Sequence, residues 1–256
     1  MARFDKLEFS DGQAPDDAEV VLAADRDATY WMRQADANRR SGNHETALRF
    51  YSRSLELDRT NVAGWAGQVR MLVQLGEFSQ AELWARKALE LFPQHAELLA
   101  AGAQAACRNG RLADALAQSD AALARPGESA YRWAVRGELL VARRSSGADH
   151  CFDKAVAIDR DWIVPLEIAT ACLFHAAPAI GLRYAQAAVE RDPRAVRAWH
   201  VQGQCHDRMG MHAAARRSFE QVLALCPKHV EAEAFLARGD GWWIRLRRRL
   251  GGWTGR

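Results

Sequence analysis

The sequence predicts an all-α fold: a solenoid of about six stacked helix–turn–helix units closed by a short C-terminal capping helix. Three observations carry this expectation. Small residues recur at Ala47, Ala81, Ala115, Ala148, Gly181 and Ala215, at steps of 34, 34, 33, 33 and 34. A parallel series runs Ser54, Ala88, Ala122, Ala155, Ala188 and Val222, and an apolar one follows it at Leu55, Leu89, Leu123, Val156, Val189 and Leu223. The stretch 196–229 shows one unit in full: a helix over roughly Val196 to Arg208, a turn at Gly210, a second helix over roughly His212 to Leu225, then Pro227. Proline just past a helix end stops it. Neither helix can bury its apolar stripe alone, so the unit is stable only when copies stack on it.

Large and small residues alternate around each turn in the same way. Trp31, Trp65 and Trp199 lie early in the first helix, and Ala35, Ala103, Ala169 and Gly203 follow at the close-packing position. Gly42, Gly76, Gly110 and Gly210 mark the turns; Tyr51, Phe152 and Phe219 supply the aromatic of the second helix; Pro93, Pro193 and Pro227 end the unit. This pattern resembles the tetratricopeptide repeat (TPR) family. The resemblance implies a right-handed α-solenoid over residues 28–229, with repeats at 28–61, 62–95, 96–128, 129–161, 162–195 and 196–229. Small residues allow helix axes to cross closely, and the large ones fill the space beside them.

Taken in order, residues 1–14 are polar and without helical period, although "RFDKLEF" alternates well enough to add to a sheet edge or fill a pocket with Phe4, Leu7 and Phe9. Pro15, followed by Asp16, Asp17 and Glu19, is a helix start that would complete a 1–27 N-terminal extension. The first, second and sixth repeats fit the pattern well. The fourth has no glycine at the usual turn, and its first helix, with Trp133 and Gly137, is expected to be offset by about one residue. The fifth lacks the early tryptophan and carries Pro165 in or beside its first helix. Residues 230–238, "VEAEAFLAR", read as the closing helix, with one face on the last repeat and a polar outer face. Gly239-Asp240-Gly241 breaks the chain before a basic, tryptophan-rich amphipathic tail that completes 239–256.

Composition narrows the function classes. The chain has 256 residues, 49% of them apolar, enough for a substantial core. The repeats occupy about 202 residues and leave about 27 at each end, so an activity is expected on the solenoid or not at all. Net charge is +3, nearly balanced, with the positive charge almost entirely on arginine. The five cysteines, Cys107, Cys151, Cys172, Cys205 and Cys226, lie inside helical patterns with no C-x-x-C pair, which reads as core packing in a reducing, cytoplasmic compartment. The first residues lack the apolar run of a signal peptide. The longest apolar stretch, Trp162 to Leu182, is interrupted by Pro165, Glu167, His175 and Pro178 and keeps the repeat register, so it reads as a helix pair rather than a membrane span.

Neither a G-x-x-x-x-G-K-[ST] nor a G-x-G-x-x-G cradle occurs. "HETAL" from His44 lacks the second histidine of a zinc helix, and His200, Cys205, His206 and His212 are spaced to diverge around a helix and its turn. No nucleophile–base pair or paired carboxylate stands out. The expectation is therefore a non-enzymatic chain with no catalytic residues, no cofactor and no metal.

The resemblance implies that the first helices of successive repeats line a concave, partner-binding groove. Its lining positions fall on Met32, Asp36, Arg39 and Arg40; on Arg70 and Gln74; on Gln104 and Arg108; on Leu166, Thr170 and Phe174; and on Arg197, His200, Gln204 and Arg208. Basic at both ends and apolar in the fifth repeat, this lining predicts an acidic protein segment with apolar anchors. The family's chaperone clamps carry Lys and Asn four apart where this chain has Met32 and Asp36, and an aspartate there would repel a terminal carboxylate. The expected role is a scaffold or adaptor.

In the tail, Trp242, Trp243, Leu246 and Leu250 share one side of a helix while Arg245, Arg248 and Arg249 lie largely opposite, and Arg247 joins them as a possible membrane or anion contact. That pattern supports the alternative of a peripheral membrane adaptor docking on anionic lipid. Aromatic stacking with phosphate contacts makes nucleic acid a further alternative, as an RNA-linked or regulatory subunit of a larger complex. Oligomeric state and partner identity are open.

Overall fold

The computed structural model describes residues 26–238. Twelve helices pair in sequence: α1 (Ala28–Ser41) with α2 (His44–Leu57), α3 (Val62–Gln74) with α4 (Phe78–Leu91), and α5 (Ala96–Arg108) with α6 (Leu112–Leu123). They continue as α7 (Ala130–Ala142) with α8 (Ala148–Ile158), α9 (Ile163–Phe174) with α10 (Pro178–Arg191), and α11 (Val196–Arg208) with α12 (His212–Leu225). A further helix over 230–238 follows, and no strand occurs among the described residues. The expected N-terminal helix start and the tail, with Trp242, Trp243, Arg245, Leu246, Arg247, Arg248, Arg249 and Leu250, lie outside them. The chain divides into two compact units, residues 1–158 and 159–256.

The recurring small residues are buried because helices cross there. Ala47, Ala81, Ala115 and Ala215 are fully inaccessible, as are Ser54, Ala88, Ala155, Ala188 and Val222. At the Gly67, Gly137 and Gly203 crossings even a methyl group is excluded. A Cβ on Gly203 would sit 2.9 Å from the Phe219 ring, and one on Gly137 would run into Phe152. Tryptophans at the early position tie down the preceding loop: Trp65 Nε1 donates to the Arg59 carbonyl at 3.0 Å, and Trp199 Nε1 to that of Pro193 at 2.9 Å.

Each described pair turns through the same device. The first helix ends on a left-handed residue whose N–H bonds three residues back, while the next N–H bonds five back, the Schellman pattern. Gly42 and Asn43 bond to Arg39 and Asn38 in this way, and Gly210 and Met211 to Asp207 and His206. In the fourth pair the left-handed residue is Arg144 (φ 57°) and in the fifth Ala176 (φ 55°). The hydrogen bonds are unchanged: Arg144 to Val141, Ser145 to Leu140, Ala176 to Leu173, Ala177 to Cys172. The fourth turn is thus retained without glycine. The offset expected in its first helix is present: α7 begins at Ala130, one residue past the 129 boundary and 34 residues after Ala96. After the turn the period shortens, since Ala148 follows Ala115 by 33 residues, and α8 begins only at Ala148.

Pro165 lies in the first turn of α9, where no intrahelical donor is lost, and Pro178 opens α10. Most of α9 is buried, from Ile163 to Leu166 and again at Ile168, Ala169, Ala171 and Cys172, which accounts for the long apolar stretch. No helix among the described residues is long and apolar enough to cross a membrane. In the second unit, Phe235, Leu236 and the fully buried Ala232 of the closing helix pack on Ala215, Phe219 and Val222, with the Phe219 and Phe235 rings 4.3 Å apart.

Candidate functional site

The expected lining residues of the first unit sit on α1, α3 and α5, and most are engaged with one another or with residues the pattern did not pick out. Asp36, Arg70, Gln104 and Glu138 stand at one repeat position, 34 residues apart, on α1, α3, α5 and α7. Arg70 places its guanidinium 4.2 Å from the centre of the Tyr131 ring. The Tyr131 hydroxyl donates to Gln104 Oε1 at 2.8 Å, and Gln104 Nε2 donates to Glu138 Oε2 at 2.8 Å. Arg108 Nε donates to Glu138 Oε1, with the two side chains only 5% and 1% exposed. A continuous polar ladder therefore crosses three first helices.

The inner part of this ladder, at Gln104, Arg108 and Glu138, is buried. A carboxylate so deep is tolerated only when paired and hydrogen-bonded, and Glu138 accepts from both Gln104 and Arg108. Burial, and the Glu138 charge beside it, push the Cys107 thiol up to about 12, so it stays protonated and inert. At the other end, Tyr51 donates to Asp36 at 2.7 Å, and Arg39 Nε lies 3.6 Å from the same carboxylate. Burial and the Asp36 charge raise the Tyr51 pKa, so its hydroxyl remains a donor. Met32 packs partly into the first core, and Arg40 and Gln74 are half-buried.

Glu138 and Tyr131 were missed by the sequence reading. The expected lining takes no position from the fourth repeat, yet a plain 34-residue step from Gln104 reaches Glu138. Arg108 was expected to face a partner; its charge is instead compensated inside the fold by Glu138.

In the second unit, Leu166 is fully buried and is corrected from a lining residue to a core residue, because α9 packs on most of its sides. Thr170 turns its hydroxyl back to the Leu166 carbonyl at 2.9 Å. Phe174 is 47% exposed, a large apolar side chain at the end of a first helix. On α11, Arg197 is half-buried while Gln204 and Arg208 are exposed. His200 faces the closing helix: its Nε2 lies 3.0 Å from Glu231 Oε2, and its ring centre 4.9 Å from that of His229. Burial chiefly, with His229 and Arg197, holds the His200 pKa below its ordinary value against the opposing pull of Glu231. His206 is buried against Ser218 Oγ at 3.3 Å, and His212 is exposed. All five cysteines are free, and only Cys226 is not buried.

Residues 196–229 and residues 14–62 each match tetratricopeptide repeat models. The chain carries tetratricopeptide repeats. TPR architecture also appears in the solved structures it resembles. A tetratricopeptide repeat protein from Parabacteroides merdae superposes with a TM-score of 0.53 at 16% identity, covering 86% of each chain. The APC/C hetero-tetramer Cut9-Hcn1 gives 0.54 at 14% identity over 86% of this chain, which spans 44% of that one. TTC0263, a TPR protein of Thermus thermophilus, gives 0.50 at 12% identity over 82% of this chain and 97% of that one. These likenesses establish the TPR fold. No curated protein matches the sequence.

Proposed function

We propose that the chain is a non-enzymatic TPR scaffold that holds an extended segment of a partner protein along the faces of its first helices. The observation that carries this reading is the polar column on successive first helices, locked by Tyr131, Gln104, Glu138 and Arg108. Interlocked side chains lose little further freedom on binding, and a preorganised surface binds more tightly for the same contacts. Arg70, stacked on Tyr131, offers a cation in a fixed position. In the second unit, exposed Phe174 supplies an apolar contact and Arg208 a second cation. The partner chemistry that fits is an acidic segment with apolar anchors.

The test is retention of a partner from native lysate by wild type, beside Arg70→Glu and Arg208→Glu variants. Arg108 is excluded as a probe, since an acid there would face Glu138 and damage the fold. A partner held by wild type and released by either variant supports the reading and yields its binding segment by truncation. A partner held equally by all three overturns the lining assignment.

A further inference from the structure

Three metal-ligating side chains converge where the closing helix meets the last repeat. His200 projects from the middle of α11, His229 immediately precedes the helix over 230–238, and Glu231 lies in its first turn. One donor atom from each lies within 4.8 Å of the others. His200 Nε2 and Glu231 Oε2 are only 3.0 Å apart. Ligands bound tetrahedrally at about 2 Å from zinc stand roughly 3.3 Å from one another, so this pair already has the spacing of two ligands on one ion.

The surroundings match such a site. The His200 side chain is 16% exposed and its ring packs near Phe219, 5.7 Å between centres, so this ligand is fixed by the core. The Glu231 side chain is 68% exposed and free to close on an ion. The Ala232 N–H lies 3.4 Å from His229 Nδ1, a long contact that holds the ring loosely. Two imidazoles and a carboxylate are a donor set that zinc accepts, with a fourth position open to water. The three residues are brought together by folding alone, since 29 positions separate His200 from His229.

We propose that His200, His229 and Glu231 bind one divalent transition-metal ion of zinc's ligand preference, which pins the closing helix to α11. The ion takes the place of the direct His200–Glu231 contact and draws His229 inward. Because a metal that binds only the folded state stabilises it by mass action, loading the site tightens the solenoid end. This inference is independent of the groove reading.

The experiment uses the full chain without an affinity tag, stripped of metal and dialysed against Zn2+ and separately against Co2+. One ion per chain at micromolar free metal is expected, with the visible bands of low-coordinate Co2+ and without a thiolate charge-transfer band. Glu231→Gln and His229→Asn should each weaken binding by at least about tenfold. Both positions lie at the surface end of the fold, and unchanged far-UV circular dichroism verifies that the variants remain folded. Three results overturn the proposal: no stoichiometric ion, equal affinity in wild type and both variants, or a thiolate band that moves the ion to the cysteines.

Discussion

At the scale of single residues, Glu138 matters most. Its carboxylate is 1% exposed and compensates Arg108 while ordering Gln104 and, through it, Tyr131. Removing one partner of a buried pair strands the other charge and costs about 3–5 kcal/mol, whereas replacing both by apolar groups is far milder. Glu138→Ala should therefore lower the urea midpoint sharply, and Arg108→Met combined with Glu138→Leu should recover most of the loss. A second residue-scale expectation concerns His206. Burial, then Arg217, hold its pKa below the ordinary 6.5. The unfolded chain then takes up a proton that the folded chain resists, so stability is full above pH 6.5. It falls as pH drops below that value, and the loss is complete once the lower folded value is passed. Urea midpoints from pH 7.5 to 5 should decline more steeply for wild type than for His206→Gln. The polar ladder was only half legible in the sequence. Arg70, Gln104 and Arg108 were found by position, but a string of letters counts charges without showing which are already paired.

At the scale of the elements, the turns carry the argument. Four of the first helices end on glycine, Gly42, Gly76, Gly110 and Gly210, and two end on Arg144 and Ala176 with the same hydrogen bonds. A side chain in the left-handed region costs about 1–2 kcal/mol, and glycine gives part of that back as lost chain entropy. Arg144→Gly and Ala176→Gly should each stabilise the chain by roughly 0.5–1 kcal/mol, read as a shift in urea midpoint with unchanged m-value. An unchanged midpoint would mean that hydrogen bonding already sets the turn irrespective of the residue. This contrast also explains what was readable. The helix pairs were visible because close crossings admit only small residues at Ala47, Ala81, Ala115 and Ala215, so packing is written directly into the sequence. The fourth turn was not visible, because the backbone conformation of Arg144 is imposed by its neighbours rather than by its own preference. For the same reason Leu166 was misread: its position suits a groove, but α9 is buried on most sides.

At the scale of the molecule, a solenoid is a row of units that each lean on their neighbours, and its ends are its weak points. The closing helix covers Ala215, Phe219 and Val222 with Ala232, Phe235 and Leu236. Burying such side chains is worth about 1.5–3 kcal/mol each. Ending the chain after His229 should therefore cost several kcal/mol and raise hydrogen exchange first in α11 and α12. Ending it after Arg238 keeps the closing helix and removes only the residues that carry Trp242, Trp243 and the arginine run. If that segment docks on anionic lipid, the longer truncation product melts with the full chain but no longer sediments with phosphatidylserine vesicles, while wild type does so in a salt-sensitive manner. If neither sediments, the membrane alternative falls and the partner-binding scaffold stands without it. If both sediment equally, lipid contact belongs to the repeats themselves, and the exposed Phe174 and Arg208 become the first residues to change.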